Sequence, residues 1–226
     1  MDAVPSADRP RISSNQLGEF VFATPAERAR ILRDQKRGNT FRSPYYQSAS
    51  NAVLRAFNGG RYDVSALRST ADELKAREAK HRNQATKFDN NAEMLRRFAS
   101  IASLACPPAG EHTVVRRDAL IELDGVLVSV RPEITTVRQN DAAFSYTKFR
   151  YSKSKVSEDS SEIILLILLK FGRAQASEHL NFDVESTKLV DCFARSVIQG
   201  HRLGGSREKQ LSSALGEIRR LWPTIA

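Results

Sequence analysis

The 226-residue sequence has only two cysteines, Cys106 and Cys192, far apart and in no CxxC spacing. That excludes a disulfide framework and fits a reduced, cytoplasmic compartment. His81, His112, His179 and His201 are scattered, with no HxxxH pair, so a histidine or cysteine zinc site is not expected. No GxSxG, P-loop or GxGxxG is present, which removes the commonest signatures of serine hydrolases, nucleotide triphosphatases and dinucleotide enzymes. The longest apolar run, Ile163 to Leu169, is far short of the roughly 20 residues that span a bilayer. The first residues carry Asp2 and Asp8 around no apolar core, so no signal peptide is expected there. No internal repeat is visible.

What remains is the composition of a globular α/β chain with a lopsided charge. The net charge is +9, and residues 1–105 carry +7 of it. A basic excess of this kind suits a polyanion such as DNA or RNA, although a solvated basic surface explains it equally well. A protein partner stays open; a membrane is not expected.

The strongest β signal lies between Ala119 and Lys153 and reads as three antiparallel strands. Val126, Val128, Val130 and Ile134 share one parity and Leu127, Ser129, Arg131, Glu133 and Thr135 the other, giving an apolar and a polar face across one strand, Val126–Val137. Asp124-Gly125 predicts a tight hairpin to Ala119–Leu123. Arg138 to Ala142 makes the next turn, and the third strand runs from Ala143 to Lys153. Folding that hairpin about Asn140 and Asp141 sets Val137 opposite Phe144 and Glu133 opposite Lys148. An acid beside a lysine on adjacent strands is either a simple cross-strand ion pair or part of a site.

Helices are predicted elsewhere. Ser13-Ser14 caps a short one bearing Leu17, Phe20 and Val21. Thr24-Pro25-Ala26-Glu27 opens another with a capping box. Its cations Arg28, Arg30, Arg33, Lys36 and Arg37, with Arg42 beyond it, form either a solvated face or a phosphate-binding one. Pro44 opens a third helix, in which Tyr45, Ala49, Ala52, Val53, Ala56 and Phe57 read as core; Tyr45 and Tyr46 could alternatively stack on bases. Asp63 caps a fourth running towards Arg82, and Asp89 or Asn90 starts a fifth. Ser157 caps an apolar helix ended by Gly172, and Ser186–Ile198 reads as a strand. Gly204-Gly205-Ser206 leads into a last amphipathic helix, with Ser206 as its cap or the loop as an anion site.

From residue 90 the order is helix, three strands, helix, strand, helix. With Pro132-Glu133 and Lys148 on the second and third strands, this resembles the PD-(D/E)XK superfamily of restriction-endonuclease-like and lambda-exonuclease-like nucleases. The resemblance covers residues 90–200 by topology and a few residues by motif. The ISSNQLGEF segment is similar to the opening of the DNA-repair and CRISPR-associated exonuclease branch. The resemblance implies an αβββαβ core over 89–226 behind a basic helical region, 1–88, in a bacterial cytoplasmic factor. It implies a divalent metal, Mg²⁺ or Mn²⁺, activating water for phosphodiester hydrolysis, with Glu133 as ligand and Lys148 stabilising charge. The sequence departs from the pattern at one place. Tyr146 stands where the family carries an acid, two before Lys148, and Tyr151 stands likewise before the alternative lysine, Lys153. A replacement ligand would come from Glu93, Glu122 or Asp124. The alternative is an inactive relative serving as a protein-interaction or structural component.

Overall fold

The computed structural model describes residues 9–37, 45–114, 119–153, 157–201 and 204–225. The expectations for Pro44 and Arg42 lie outside them. The chain opens with strand β1 (Arg11–Ser13) and helices α1 (Ser14–Phe22), α2 (Pro25–Lys36) and α3 (Gln47–Ala56). A short hairpin, β2 (Phe57–Asn58) and β3 (Arg61–Tyr62), precedes α4 (Val64–Ala76), α5 (Arg82–Ala99) and the one-turn α6 (Ala102–Ala105). Then come β4 (Glu111–Val114), β5 (Leu120–Leu123), β6 (Val126–Ser129), β7 (Ile134–Arg138) and β8 (Ala143–Arg150). Helix α7 (Glu158–Gln175), β9 (Asn181–Phe182), β10 (Lys188–Asp191), β11 (Ser196–Gln199) and α8 (Gly205–Leu221) complete it. The class is mixed α/β. Among the described residues no helix is long and apolar enough to cross a membrane.

The central sheet has the order β11-β10-β8-β7-β4, with β9 beside the start of β8. All pairs are antiparallel except β8 with β10 and β9, which are parallel and joined through α7. A smaller sheet, β1-β6-β5, lies over one face, with β1 parallel to β6 across more than a hundred residues. On that face α1, α2, α7 and α8 share one core with Val126, Val128, Phe144, Tyr146 and Leu189. On the other, α3, α4, α5 and α6 share a second core with Ile134, Phe149 and Val190. Helix α7 is apolar nearly all round because α1, α8 and the sheet surround it. Gly18 lets α1 approach α7 closely: a Cβ there would meet Ile164 Cγ1 at 2.6 Å and the Ser160 carbonyl at 2.8 Å.

Local signals formed as expected where capping or turn chemistry specified them. Ser13, Thr24, Asp63 and Ser157 cap their helices, Thr24 with the full box. Asp124 and Gly125 both take positive φ, 46° and 79°, in the β5–β6 turn. Val137 faces Phe144, and Ile134 faces Thr147, so the expected register holds.

Other expectations need correcting. The three-stranded unit is four strands in two sheets. Val126–Val137 does not run as one strand because Arg131 adopts φ 47° and Pro132 follows, which ends β6 and restarts the chain in the central sheet. Helix α5 starts at Arg82, capped by the His81 ring on Gln84 N, so Asp89 lies inside it. The 88/89 boundary therefore falls within an element, and α1 and α2 belong to the core of α7 and α8. Gly172 does not end α7; its missing Cβ makes room for the Phe182 ring. Ser186–Ile198 is a hairpin, turning where Asp191 accepts the amides of Phe193 and Ala194. The cap of α8 is Gly204, and Ser206 makes no capping bond.

Candidate functional site

The junction between β6 and β7 opens into a cleft of about 580 Å³, closed on one side by β1 and the start of α1 and on the other by α3. Glu133 and Lys148 both line it. Lys148 enters from β8, 4% exposed, with Nζ donating to the carbonyls of Val130 at 2.6 Å and Arg131 at 3.2 Å. Those bonds hold the chain where Arg131 takes its left-handed conformation, which costs roughly 1–3 kcal/mol in a non-glycine residue. Glu133 stands opposite Lys148. Its backbone N–H donates to Thr147 O at 3.1 Å, and its Oε2 accepts the Phe149 amide at 2.7 Å.

Burial sets the electrostatics of the pair. It pushes the Glu133 carboxyl above the usual carboxylate range, with Lys148 and the Phe149 amide opposing. It pushes the Lys148 ammonium below its usual value, with Glu133 opposing and Arg131 adding to the shift. The cleft thus weakens both charges. A carboxyl raised on folding contributes stability that is fully present below its unfolded value of 4.5 and is lost as pH rises through the folded value. Glu133→Gln keeps an oxygen for the Phe149 amide and removes the buried charge. The variant is expected to melt a few degrees higher than the parent at pH 7, with the gap closing as pH falls towards 4.5; thermal melts of both across that range check it.

The expected motif acid has no room. Tyr146 points to the same side as Lys148 but one pleat deeper, 7% exposed, with its ring against Phe144, Phe171 and Phe182. The position is part of the core.

The replacement ligands do not line the cleft either. Asp124 sits at the exposed β5–β6 turn, accepting from Ser212 Oγ at 2.9 Å beside a separate groove against α8. Glu122 is exposed on β5. Glu93, on α5, is bound by Arg97 at 2.7 Å and Lys153 at 3.3 Å. Burial works against its charge, but these two partners hold its carboxyl below the usual range. Lys153 is thereby occupied outside the cleft as well. Among the described residues no three His, Cys, Asp or Glu side chains gather where they could hold a metal. Mg²⁺ binds through hard oxygen ligands, and among the described residues Glu133 is the one carboxylate lining this cleft. The donor set does not fit the metal that the resemblance implies.

The basic helix α2 is only partly open. Arg28 donates to the carbonyls of Phe20 and Val21 and pairs with Glu217 at 2.6 Å, tying α1, α2 and α8 together. Lys36 donates to the carbonyls of Trp222 and Ile225, closing the end of α8. Arg30, Arg33 and Arg37 are exposed; Arg30 reaches Asp34 at 3.4 Å and Arg33 its own helix at Ala29 O.

Several lining residues are not among the expected site residues: Arg11, Ser14 and Asn15 from β1 and α1, and Ser129 from β6. They arrive through the parallel β1–β6 pairing, which nothing local announces. Tyr45, expected in the core, is 41% exposed, and both it and Tyr46 line the cleft. Comparison of the chain with protein-family models and with curated proteins finds no match.

Proposed function

We propose that the chain is a PD-(D/E)XK-like protein of the cytoplasm whose cleft binds nucleic acid without hydrolysing it. One observation carries this reading: Glu133 and Lys148 meet in a cleft at the β7–β8 edge, while Tyr146 lies packed in the core. The order α5, β4, β7, β8, α7, β10 supports the αβββαβ likeness, with β5 and β6 as an insertion and β10 parallel to β8. Lys148, which the resemblance casts as stabilising charge, here donates to backbone carbonyls, and among the described residues no second carboxylate lines the cleft. The exposed cations of α2 and the aromatic wall at Tyr45 and Tyr46 favour a polyanion bearing flat bases.

The test pairs two assays on single-stranded DNA, duplex DNA and RNA. Binding is expected to weaken steeply with salt, with a log–log slope of about −0.9 for each phosphate contacted on duplex DNA. Reversing Arg30 and Arg33 to Glu is expected to weaken it uniformly across sequences. No cleavage is expected with Mg²⁺ or Mn²⁺. Undetectable binding at low salt would overturn the reading and favour a protein-interaction component. Cleavage that needs metal and is lost in Glu133→Ala would restore the hydrolytic function.

A further inference from the structure

The cleft is built for an anion at one end. Ser13 caps α1, and the first turn of that nine-residue helix, at Ser14 and Asn15, lines the cavity. Helix N-termini present backbone N–H groups and the positive end of the helix dipole to whatever lies before them. Ser129 faces the same space from β6. It is 6% exposed, yet its Oγ has no hydrogen-bond partner. A buried hydroxyl without a partner costs stability, and such a group in a cavity points to something that binds there. Lys148 Nζ has three donors, two of them spent on Val130 and Arg131. Among the described residues Arg11 and Arg131 also line the cleft, and the Oε2 of Glu133 is already taken by the Phe149 amide.

The other end is aromatic. Tyr45 and Tyr46 sit edge to face at 4.9 Å, and Tyr46 is braced by Phe193 at 5.3 Å. Asn90 Nδ2 holds the Tyr45 hydroxyl at 2.9 Å, so the wall is fixed to α5. A volume of about 580 Å³ is that of a small-molecule site (roughly 300–1,000 Å³) and excludes a duplex.

We propose that the cleft seats the phosphate monoester of a single nucleotide, with the phosphate at the start of α1 beside Ser129 and Lys148 and the base against Tyr45 and Tyr46. The nucleotide is either free or the unpaired end of a strand; in the second form the inference rests on the nucleic-acid reading above. Duplex would then have to fray before its end could enter.

Calorimetric titration of the full chain with inorganic phosphate, thymidine monophosphate and thymidine tests this. The monophosphate is expected to bind most tightly and thymidine least. Ser129→Ala is expected to weaken the monophosphate at least tenfold, the loss of one hydrogen bond to a charged group. The same variant should melt no lower than the parent without ligand, since the hydroxyl it removes has no partner. Tyr46→Ala should weaken the monophosphate and leave inorganic phosphate unchanged. Lys148→Met should weaken both at least tenfold; should it fail to fold, Ser129→Ala and Tyr46→Ala still decide. No binding of either phosphate at millimolar concentration, or identical affinities in Ser129→Ala and Tyr46→Ala, would overturn the proposal. A 5′-phosphorylated oligothymidylate binding more tightly than its 5′-hydroxyl form marks a strand end as the source; equal affinity marks the free nucleotide. Strand binding without monophosphate binding would sink the seat and leave the nucleic-acid reading standing. The reverse result would keep the seat and sink that reading.

Discussion

Asp191→Ala is expected to destabilise the protein by about 3–5 kcal/mol, the range for a buried ion pair broken by removing one partner. Arg150 is 1% exposed, and its Nη1 lies 2.7 Å from Asp191 Oδ2, itself in a residue only 5% exposed. Glu19 on α1 stands further off, at 3.5 Å from Nη2, and is partly in solvent. Removing the Asp191 carboxylate therefore leaves a guanidinium in the core without the counter-charge 2.7 Å from it. The second carboxylate oxygen does separate work, accepting the amides of Phe193 and Ala194 and turning the chain from β10 into β11. Asp191→Asn keeps one oxygen for that turn while losing the charge, so it should cost less than Asp191→Ala. Urea denaturation of the three proteins measures both steps through the shift in midpoint at constant slope. A loss below about 1 kcal/mol, the ordinary worth of an exposed pair, would mean that water reaches Arg150.

This pair also shows why part of the architecture was hidden in the sequence. Asp191 and Arg150 are forty-one residues apart and meet only because β10 runs parallel to β8, with Asp191 in register with Arg150. Antiparallel neighbours are easier to see, because a turn residue announces them. Asp124-Gly125 and the Arg138–Ala142 turn were legible for that reason, and the second gave the Val137–Phe144 register and so the Glu133–Lys148 meeting. Parity then misled at one point. Val130 and Ile134 keep the same parity on either side of Arg131 and Pro132, yet they face different cores, because the left-handed Arg131 swings the chain from one sheet to the other. A positive φ at arginine has no composition signal; only the following proline hinted at a break. The start of α5 was missed for a similar reason. A histidine ring is a rare cap, and the polar run from Arg82 to Lys87 has no apolar stripe to mark it. The helix α1 was legible from its cap, but its place beside Ser129 was not, since that depends on β1 adding to β6 in parallel from a distant part of the chain.

The last expectation concerns the motif itself. Restoring the family's acid by Tyr146→Glu is expected to unfold the protein rather than to create a metal site. The ring of Tyr146 is packed against Phe171 at 5.5 Å and Phe144 at 5.5 Å between centroids, on the side of β8 that faces α7. Truncating such an aromatic residue costs about 3–5 kcal/mol, and a carboxylate in its place adds the penalty of an unpaired buried charge. The nearest cation on that face, Lys148, is one pleat away, about 6.6–6.8 Å along the strand. It is already held by the carbonyls of Val130 and Arg131. The new carboxylate would thus stay protonated or drive the helix off the sheet; neither state binds Mg²⁺. Tyr146→Phe serves as the control and should keep nearly full stability, since the core contacts of the ring remain. Circular dichroism melts of the two variants, with a nuclease assay on whichever remains folded, separate the alternatives. A folded Tyr146→Glu protein with Mg²⁺-dependent cleavage would mean that the position is a vacant ligand site. An unfolded one would mean that a catalytic acid at this strand position requires a different core beneath it.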